Sequence, residues 1–155
     1  MKNIKFREAL LSDLPQVVKL KIDMFKDSGH FDLLINNPYE IILKDYDNLY
    51  KSKEAKHYLA IKDNNIISCI GIFIKFDLPY RYYKNPKYGF IGDVYTIKSE
   101  RGKGLATELT KIAIDWFKNN NITTIRLLAS KEASKIYRNF GFNETDEMLL
   151  TIHSK

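Results

Sequence analysis

Residues 91–106 read IGDVYTIKSERGKGLA, and this stretch indicates the fold. It begins as an alternating strand, passes through a short loop with two glycines and opens an amphipathic helix. Gly102 and Gly104 lack a Cβ, so the loop backbone can curl closely around an anion. A helix N-terminus adds unpaired N–H groups and partial positive charge. The stretch is therefore interpreted either as a phosphate-binding loop or as a glycine turn without a ligand.

Two common phosphate-binding motifs do not describe this loop. It lacks the Gly-x-x-x-x-Gly-Lys-Ser/Thr pattern, and Thr107 stands where the dinucleotide-binding pattern requires a third glycine. Arg101 and Lys103 add positive charge beside the glycines, and Ala106 keeps the first helical turn slim. If the loop binds an anion, it therefore belongs to a different class of anion site.

The remaining sequence alternates helices and strands. Strands are predicted at 4–6, 58–61, 66–76, 90–97, 123–129 and 148–152, with 66–76 apolar enough to be covered on both faces. Helices are predicted to begin near Asp13 and Asn37, each with a proline in the first turn, and to span 104–117 and 133–140. This order predicts an α/β fold, with residues 1–155 as one domain.

Composition narrows the functional classes. The chain has 155 residues, 45% of them hydrophobic and 28% charged, which is typical of a globular domain. It has no apolar run near the ~20 residues of a membrane span and no signal-peptide pattern, so we expect a cytoplasmic protein without membrane contact. The net charge of +6 is scattered, which argues against nucleic acid and is compatible with a small polyanion.

Neither cysteine nor histidine chemistry is indicated. Cys69 is the only cysteine and lies in an apolar run, so we interpret it as a buried, inert thiol rather than a nucleophile. The histidines, His30, His57 and His153, show no metal-ligand spacing. No metal site is predicted.

Three segments resemble the GCN5-related N-acetyltransferase (GNAT) superfamily. The signature Arg101-x-x-Gly104-x-Ala106 is similar to its Arg/Gln-x-x-Gly-x-Gly/Ala motif, and residues 136–142, IYRNFGF, are similar to its Tyr-x-x-x-Gly-Phe segment. Arg7 followed by Asp13 resembles a common start of these domains. The resemblance covers nearly the whole chain. It implies a single-domain GNAT-like α/β fold, with a mixed central sheet of about six or seven strands and helices on both faces.

The resemblance also implies acetyl-CoA as cosubstrate. Backbone groups of 94–96 are expected to pair with the pantetheine arm, and the loop 101–106 to hold the pyrophosphate of coenzyme A. Ser130 stands where many relatives have an asparagine, and can still hydrogen-bond to the pantetheine with fewer donors. The implied cofactor-binding residues are Val94, Tyr95, Thr96, Arg101, Gly102, Lys103, Gly104, Leu105, Ala106 and Ser130.

Two residues are candidates for catalysis. The resemblance implies that Tyr137 donates a proton to the departing thiolate; the alternative is a plain core aromatic. Asp93 is a candidate acceptor of the amine proton, or a binder of a cationic substrate. Its alternatives are an ion pair, a side chain pointing away from the cleft, and deprotonation through water. For Arg126, in the middle of a predicted strand, a structural ion pair is favoured over substrate contact.

The sequence says least about the molecule that accepts the acetyl group. We expect a primary amine on a small molecule or a peptide terminus; protein lysines or N-termini are the alternative acceptors. A non-catalytic acyl-CoA-binding sensor is the alternative outside catalysis. Oligomeric state is not readable, and a homodimer stays open. The aromatic residues Phe31, Tyr39, Tyr80, Tyr82 and Tyr83 fall in acceptor-side segments and either line a pocket or are ordinary surface aromatics.

Overall fold

The computed structural model describes residues 3–78, 85–148 and 150. Their strands form one mixed sheet in the order β1-β2-β3-β4-β5, antiparallel from β1 to β4, with β5 parallel to β4. The strands are β1 (Ile4–Glu8), β2 (Ala55–Lys62), β3 (Asn65–Phe76), β4 (Lys87–Thr96) and β5 (Ile125–Leu127).

Helices cover both faces of this sheet. α1 and α2 pack together on one face, and α3 packs on the other. The helices are α1 (Leu14–Asp27), α2 (Pro38–Lys51), α3 (Leu105–Asn119) and α4 (Ser134–Asn139), with single 3₁₀ turns at Leu11–Asp13, Phe31–Leu33 and Lys98–Glu100. Within the described ranges, no helix has the length and apolar character needed to cross a bilayer.

Each face of the sheet has its own core. On the α1/α2 side, Val17 and Val18 of α1 pack with Leu59 and Phe73. On the α3 side, Leu109 and Phe117 pack with strand residues such as Ile70. β3 is buried without interruption from residue 67 to 73, which confirms the prediction of a strand covered on both faces.

The number of strands predicted is wrong for the part of the chain that the structure describes, which has five rather than six or seven. The predicted strand 148–152 lies mostly outside the described residues; Met148 and Leu150, which are inside them, belong to no strand. The predicted strand 123–129 shortens to Ile125–Leu127, because β5 pairs with β4 only over these three positions.

A bulge in β4 reverses the side-chain alternation close to the strand's end. The β3–β4 register shifts between Cys69 and Gly71, and Asp93 has a φ of +52°. Strict alternation would place Asp93 on the same face as Ile91, which lies in the α3-side core. The bulge instead directs Asp93 to residues of α1 and α2.

Candidate active site

β4 and β5 separate at one end of the sheet. Their last paired residues are Ile91 and Leu127, whereas β4 continues to Thr96. Beyond Ile91, the β5-facing edge of β4 has no strand partner among the described residues. Backbone groups exposed along such an edge can hydrogen-bond to an extended ligand. The predicted cofactor-binding positions Val94, Tyr95 and Thr96 lie on this separated part of β4.

The glycine loop between β4 and α3 has the backbone of an anion site. Gly102 and Gly104 have φ values of +75° and +77°, and a Cβ at either would meet no atom within 4 Å. Within the described part of the chain, the N–H groups of 102–106 donate to no backbone or side-chain acceptor. These amides include the first turn of α3, where the helix dipole is positive. The predicted loop residues Leu105 and Ala106 belong to this turn.

The charged side chains of the loop are engaged with acids. Arg101 Nη2 donates to Asp27 at 2.6 Å, and Lys103 Nζ donates to Glu100 at 2.8 Å. Lys62 also reaches Glu100, at 2.9 Å. Hydrogen bonds from Lys103 and Lys62 hold the pKa of Glu100 below its ordinary value. The positive charge predicted beside the glycines is thus present but largely paired.

Ser130 and Tyr137 line one cavity of about 390 Å³, together with the residues of β5. The Ser130 hydroxyl accepts the N–H of Ala133 at 3.2 Å, and its carbonyl accepts the N–H of Ser134 at 3.0 Å, so Ser130 stabilises the turn that leads into α4. Tyr137 is 6% exposed and packs edge-on against Phe142. Burial raises the pKa of Tyr137, so its hydroxyl keeps its proton at neutral pH.

Asp93 is the centre of a buried network that the sequence analysis did not identify. Its carboxylate accepts from Lys21 Nζ at 2.5 Å, from His57 Nε2 at 3.0 Å and from the Tyr46 hydroxyl. The Tyr50 hydroxyl contacts His57 Nδ1 at 2.9 Å. Because a carboxylate only accepts, Nε2 of His57 carries a proton and donates it to Asp93.

The network keeps Asp93 ionised. Burial alone would raise the pKa of Asp93, but the hydrogen bond from His57 and the charge of Lys21 outweigh it and hold this pKa below its ordinary value. Burial and the neighbouring carboxylate raise the pKa of Tyr46, which stays protonated as a donor. Of the interpretations open for Asp93, this geometry favours an ion pair.

The opened strand edge, the glycine loop and the tyrosine cavity suit an acyl-CoA site. The sequence model of the acetyltransferase (GNAT) family matches residues 22–142. The chain belongs to this family. The match confirms the resemblance, and with it the prediction of an N-acetyltransferase.

Individual proteins resemble this acetyltransferase over most of their length. It is 26% identical over 110 residues to an aminoglycoside N(6')-acetyltransferase type 1 of Acinetobacter haemolyticus, covering 69% of this chain and 75% of that protein. A predicted acetyltransferase from Clostridium acetobutylicum, solved with acetyl-CoA, is 26% identical with a TM-score of 0.87, covering 96% of each chain. A GCN5-related N-acetyltransferase from Ralstonia eutropha, 20% identical, shares the fold with a TM-score of 0.87, covering 96% of this chain and 98% of that one.

The structure describes most of the other residues that the sequence analysis named. Cys69 is completely buried and its thiol donates to the Asp93 carbonyl, and burial raises its pKa, which confirms an inert thiol. Arg126 forms ion pairs with Asp77 and Glu147, which confirms the structural interpretation. Phe31 is exposed and Tyr39 partly buried against the α1/α2-side core, whereas Tyr80, Tyr82 and Tyr83 lie outside the described residues.

Proposed function

We propose that this acetyltransferase transfers the acetyl group of acetyl-CoA to a primary amine of a small molecule, by direct attack in a ternary complex. The observation that carries the proposal is the glycine loop at the start of α3. Its amides at 102–106 donate to no acceptor in the described ranges, and they stand beside the separated edge of β4. An anion with an extended arm fits this combination, the anion at the loop and the arm along the strand.

The residues present fit coenzyme A. A Cβ at Gly102 or Gly104 would project into open space, and that space is where a pyrophosphate would need to approach the backbone. Arg101, Gly102, Lys103, Gly104, Leu105 and Ala106 would surround the pyrophosphate. Val94, Tyr95 and Thr96 would hold the pantetheine, and Ser130 would reach it from the β5 side.

Each step of the transfer then has a residue that serves it. Bound acetyl-CoA supplies a thioester whose carbon the amine attacks, so that a C–N bond forms and the C–S bond breaks. A backbone N–H of the opened β4 edge, with that of Tyr95 as the candidate, stabilises the negative charge that develops on the carbonyl oxygen. Tyr137 gives its phenolic proton to the leaving sulfur, because burial keeps that proton on the hydroxyl.

The proton of the attacking amine has two routes. An alkyl ammonium has an ordinary pKa of ~10.4, so a proton must leave before attack at neutral pH. Asp93 is the side-chain candidate for accepting it. Its low pKa and three donors make it a weak base, which favours loss of the proton to water. On this proposal Asp93 acts mainly by holding Lys21 and the β4 bulge in place.

A small-molecule acceptor is supported by the aminoglycoside N(6')-acetyltransferase relative, whose name identifies an aminoglycoside as its acceptor. The likeness is 26% identity over 69% of this chain, which is too distant to transfer the acceptor. Protein lysines and N-terminal amines therefore stay as the alternative acceptors.

The test has two stages. Thermal unfolding with acetyl-CoA measures cofactor binding, and a concentration of 100 times Kd should add about 2.7 kcal/mol to the free energy of unfolding. Release of free thiol is then followed with aminoglycosides, linear polyamines, a lysine peptide and a peptide with a free N-terminus. Turnover with one of the first two classes supports the proposal. Binding of acetyl-CoA without thiol release above the rate of background hydrolysis indicates a non-catalytic sensor. Absence of binding at millimolar acetyl-CoA would rule out both the enzyme and the sensor.

A further inference from the structure

Asp27, the last residue of α1, joins that helix to the cofactor-binding loop and to the end of β4. Its carboxylate accepts from the Tyr95 hydroxyl at 2.9 Å and from Arg101 Nη2 at 2.6 Å, and pairs with Lys98 Nζ at 2.9 Å. These three partners lie at the end of β4, in the 3₁₀ turn that follows it and in the glycine loop. One carboxylate therefore contacts every segment between the strand and α3.

Arg101 is held in one place by these contacts. Besides Asp27, its Nε donates to the Thr96 carbonyl at 2.9 Å, and its guanidinium lies 5.5 Å from the centre of the Tyr95 ring. A planar guanidinium that is bound on two edges and stacked on one face has few remaining directions for a phosphate. The signature arginine of this chain therefore supports the loop backbone, in addition to the place proposed for it beside the pyrophosphate.

The position of Asp27 is unfavourable for the helix itself. A carboxylate in the last turn faces the negative end of the helix dipole, which disfavours it. Its three donors offset that cost, and they hold the pKa of Asp27 below its ordinary value, the hydrogen bond from Lys98 being the largest cause. The charge is thus stabilised by the loop and not by its own helix.

A second contact connects the same helix to the same strand. Lys21 of α1 donates to Asp93 in the β4 bulge at 2.5 Å, and Asp27 accepts from Tyr95, two residues further along β4. α1 therefore holds β4 on both sides of Val94, the first predicted pantetheine contact. A shift of α1 relative to the sheet would break one or both of these contacts.

We propose that Asp27 is a positioning residue that holds the glycine loop and the end of β4 in the conformation that binds coenzyme A. This inference rests on the proposed use of acetyl-CoA. A loop that is already ordered loses less entropy when its ligand binds, so removing the contact weakens binding without touching the ligand. The contribution is made through Arg101 and Tyr95, and Asp27 itself contacts neither substrate.

The first variant is Asp27→Asn, which keeps the shape and removes the charge. The Kd for coenzyme A and the KM for acetyl-CoA should each rise about tenfold, since hydrogen bonds to a charged group are being weakened. At saturating acetyl-CoA, kcat should stay within about twofold, because the chemical groups are intact. In the free protein, the hydrogen-bonded amides of Ile97, Glu100 and Arg101 should exchange with solvent faster.

The matched control is Asp23→Asn, one turn earlier on α1, which removes a charge that also acts on Tyr95 but has no hydrogen bond to the loop among the described residues. It should leave the Kd for coenzyme A unchanged. An unchanged Kd in Asp27→Asn, or an equal rise in both variants, would overturn the proposal. Failure of the unaltered protein to bind coenzyme A would instead remove the proposed function, so the two failures are distinguishable.

A double-variant cycle tests the route through Arg101. If Asp27 acts by holding that guanidinium, Asp27→Asn combined with Arg101→Gln should weaken binding little more than Arg101→Gln alone. Independent, multiplying effects would contradict this route. Tyr95→Phe removes one of the three contacts while leaving the charge of Asp27, and should raise Kd by only about two- to threefold. This milder variant keeps the test available if Asp27→Asn folds poorly.

Discussion

Gly71 of β3 lies directly opposite His57 of β2, and a Cβ at Gly71 would stand 3.0 Å from His57 Nε2. That nitrogen is the one that donates to Asp93. The same Cβ would lie 2.6 Å from the ring of Phe73, so the space beside the histidine is already filled. The absence of a side chain at Gly71 is therefore what allows an imidazole to occupy the interior and reach the β4 bulge.

Gly71→Ala should lower the free energy of unfolding by about 1–3 kcal/mol, the usual cost of overpacking a filled core. Urea denaturation measures this loss. Gly92→Ala is the control, because its Cβ would meet Phe73 at 3.2 Å with His57 not among its nearest atoms, and its loss should be smaller. Equal losses would mean that crowding of Phe73, and not of His57, sets the cost.

Asp93→Asn should lower the free energy of unfolding by about 3 kcal/mol or more at neutral pH, because Lys21 loses its buried counter-charge and His57 loses a charged hydrogen-bond acceptor. The fold lowers the pKa of Asp93, so its contribution is present above the unfolded pKa of about 3.9 and is lost as the pH falls through the folded value. The stability difference between the two proteins should thus be constant near neutrality and narrow below about pH 4.

The control for this change is Asp47→Asn, which breaks an exposed ion pair with Lys51 one turn away on α2. Such a pair is worth about 0.3–0.5 kcal/mol, so its loss should be small. The activity of Asp93→Asn, corrected for the folded fraction, also tests whether Asp93 accepts the proton of the attacking amine. A kcat reduced by a hundredfold or more would favour Asp93 as proton acceptor, whereas a near-normal kcat favours water.

The strand–loop–helix from β4 to α3 was predictable because its signals are local. Glycines mark the loop, and an apolar stripe marks the helix, which runs Leu105–Asn119 where the stripe predicts 104–117. The helices α1 and α2 were also found from their start signals, and α4 from the predicted span 133–140. The length of β5 was not predictable, because it depends on how far β4 runs alongside β5. No pattern within residues 123–129 expresses that distance.

The network around Asp93 could not be predicted in the same way. Its partners Lys21, Tyr46 and His57 are 72, 47 and 36 residues away along the chain, so only the tertiary fold brings them together. One signal was available. His57 occupies the same alternating face of β2 as Ala55 and Leu59, and a titratable side chain at a core position requires a partner. The identity of that partner depended on a bulge that reverses the alternation at Asp93.

Gly104→Ala should weaken coenzyme A binding more than it weakens the fold. At a φ of +77° an alanine costs about 1 kcal/mol of stability, and the new Cβ would enter the space in front of the loop amides. Gly29→Ala is the matched control, with a φ of +75° and equally open surroundings but no place in the loop. Denaturation should show similar losses in the free energy of unfolding for both variants. Calorimetry should show a raised Kd for coenzyme A in Gly104→Ala alone. An equal Kd for coenzyme A in the two variants would contradict the proposal that the loop 101–106 holds the pyrophosphate.

Tyr137→Phe tests the acid directly. Removing the hydroxyl should lower kcat by about a hundredfold, the lower range for general-acid catalysis, and leave the Kd for coenzyme A within about twofold.

Burial raises the pKa of this tyrosine above its ordinary value of about 10, so the acid form persists through neutral and mildly alkaline pH. The kcat of the unaltered protein should therefore show no fall from this group below about pH 10, and thiol release measured from pH 6 to 10 gives the profile. The buried ring packs on Phe142, and Phe at 137 preserves that contact, so a change in stability alone would be small. If kcat is unchanged in Tyr137→Phe, the proton reaches sulfur from another donor, and Tyr137 is a core aromatic.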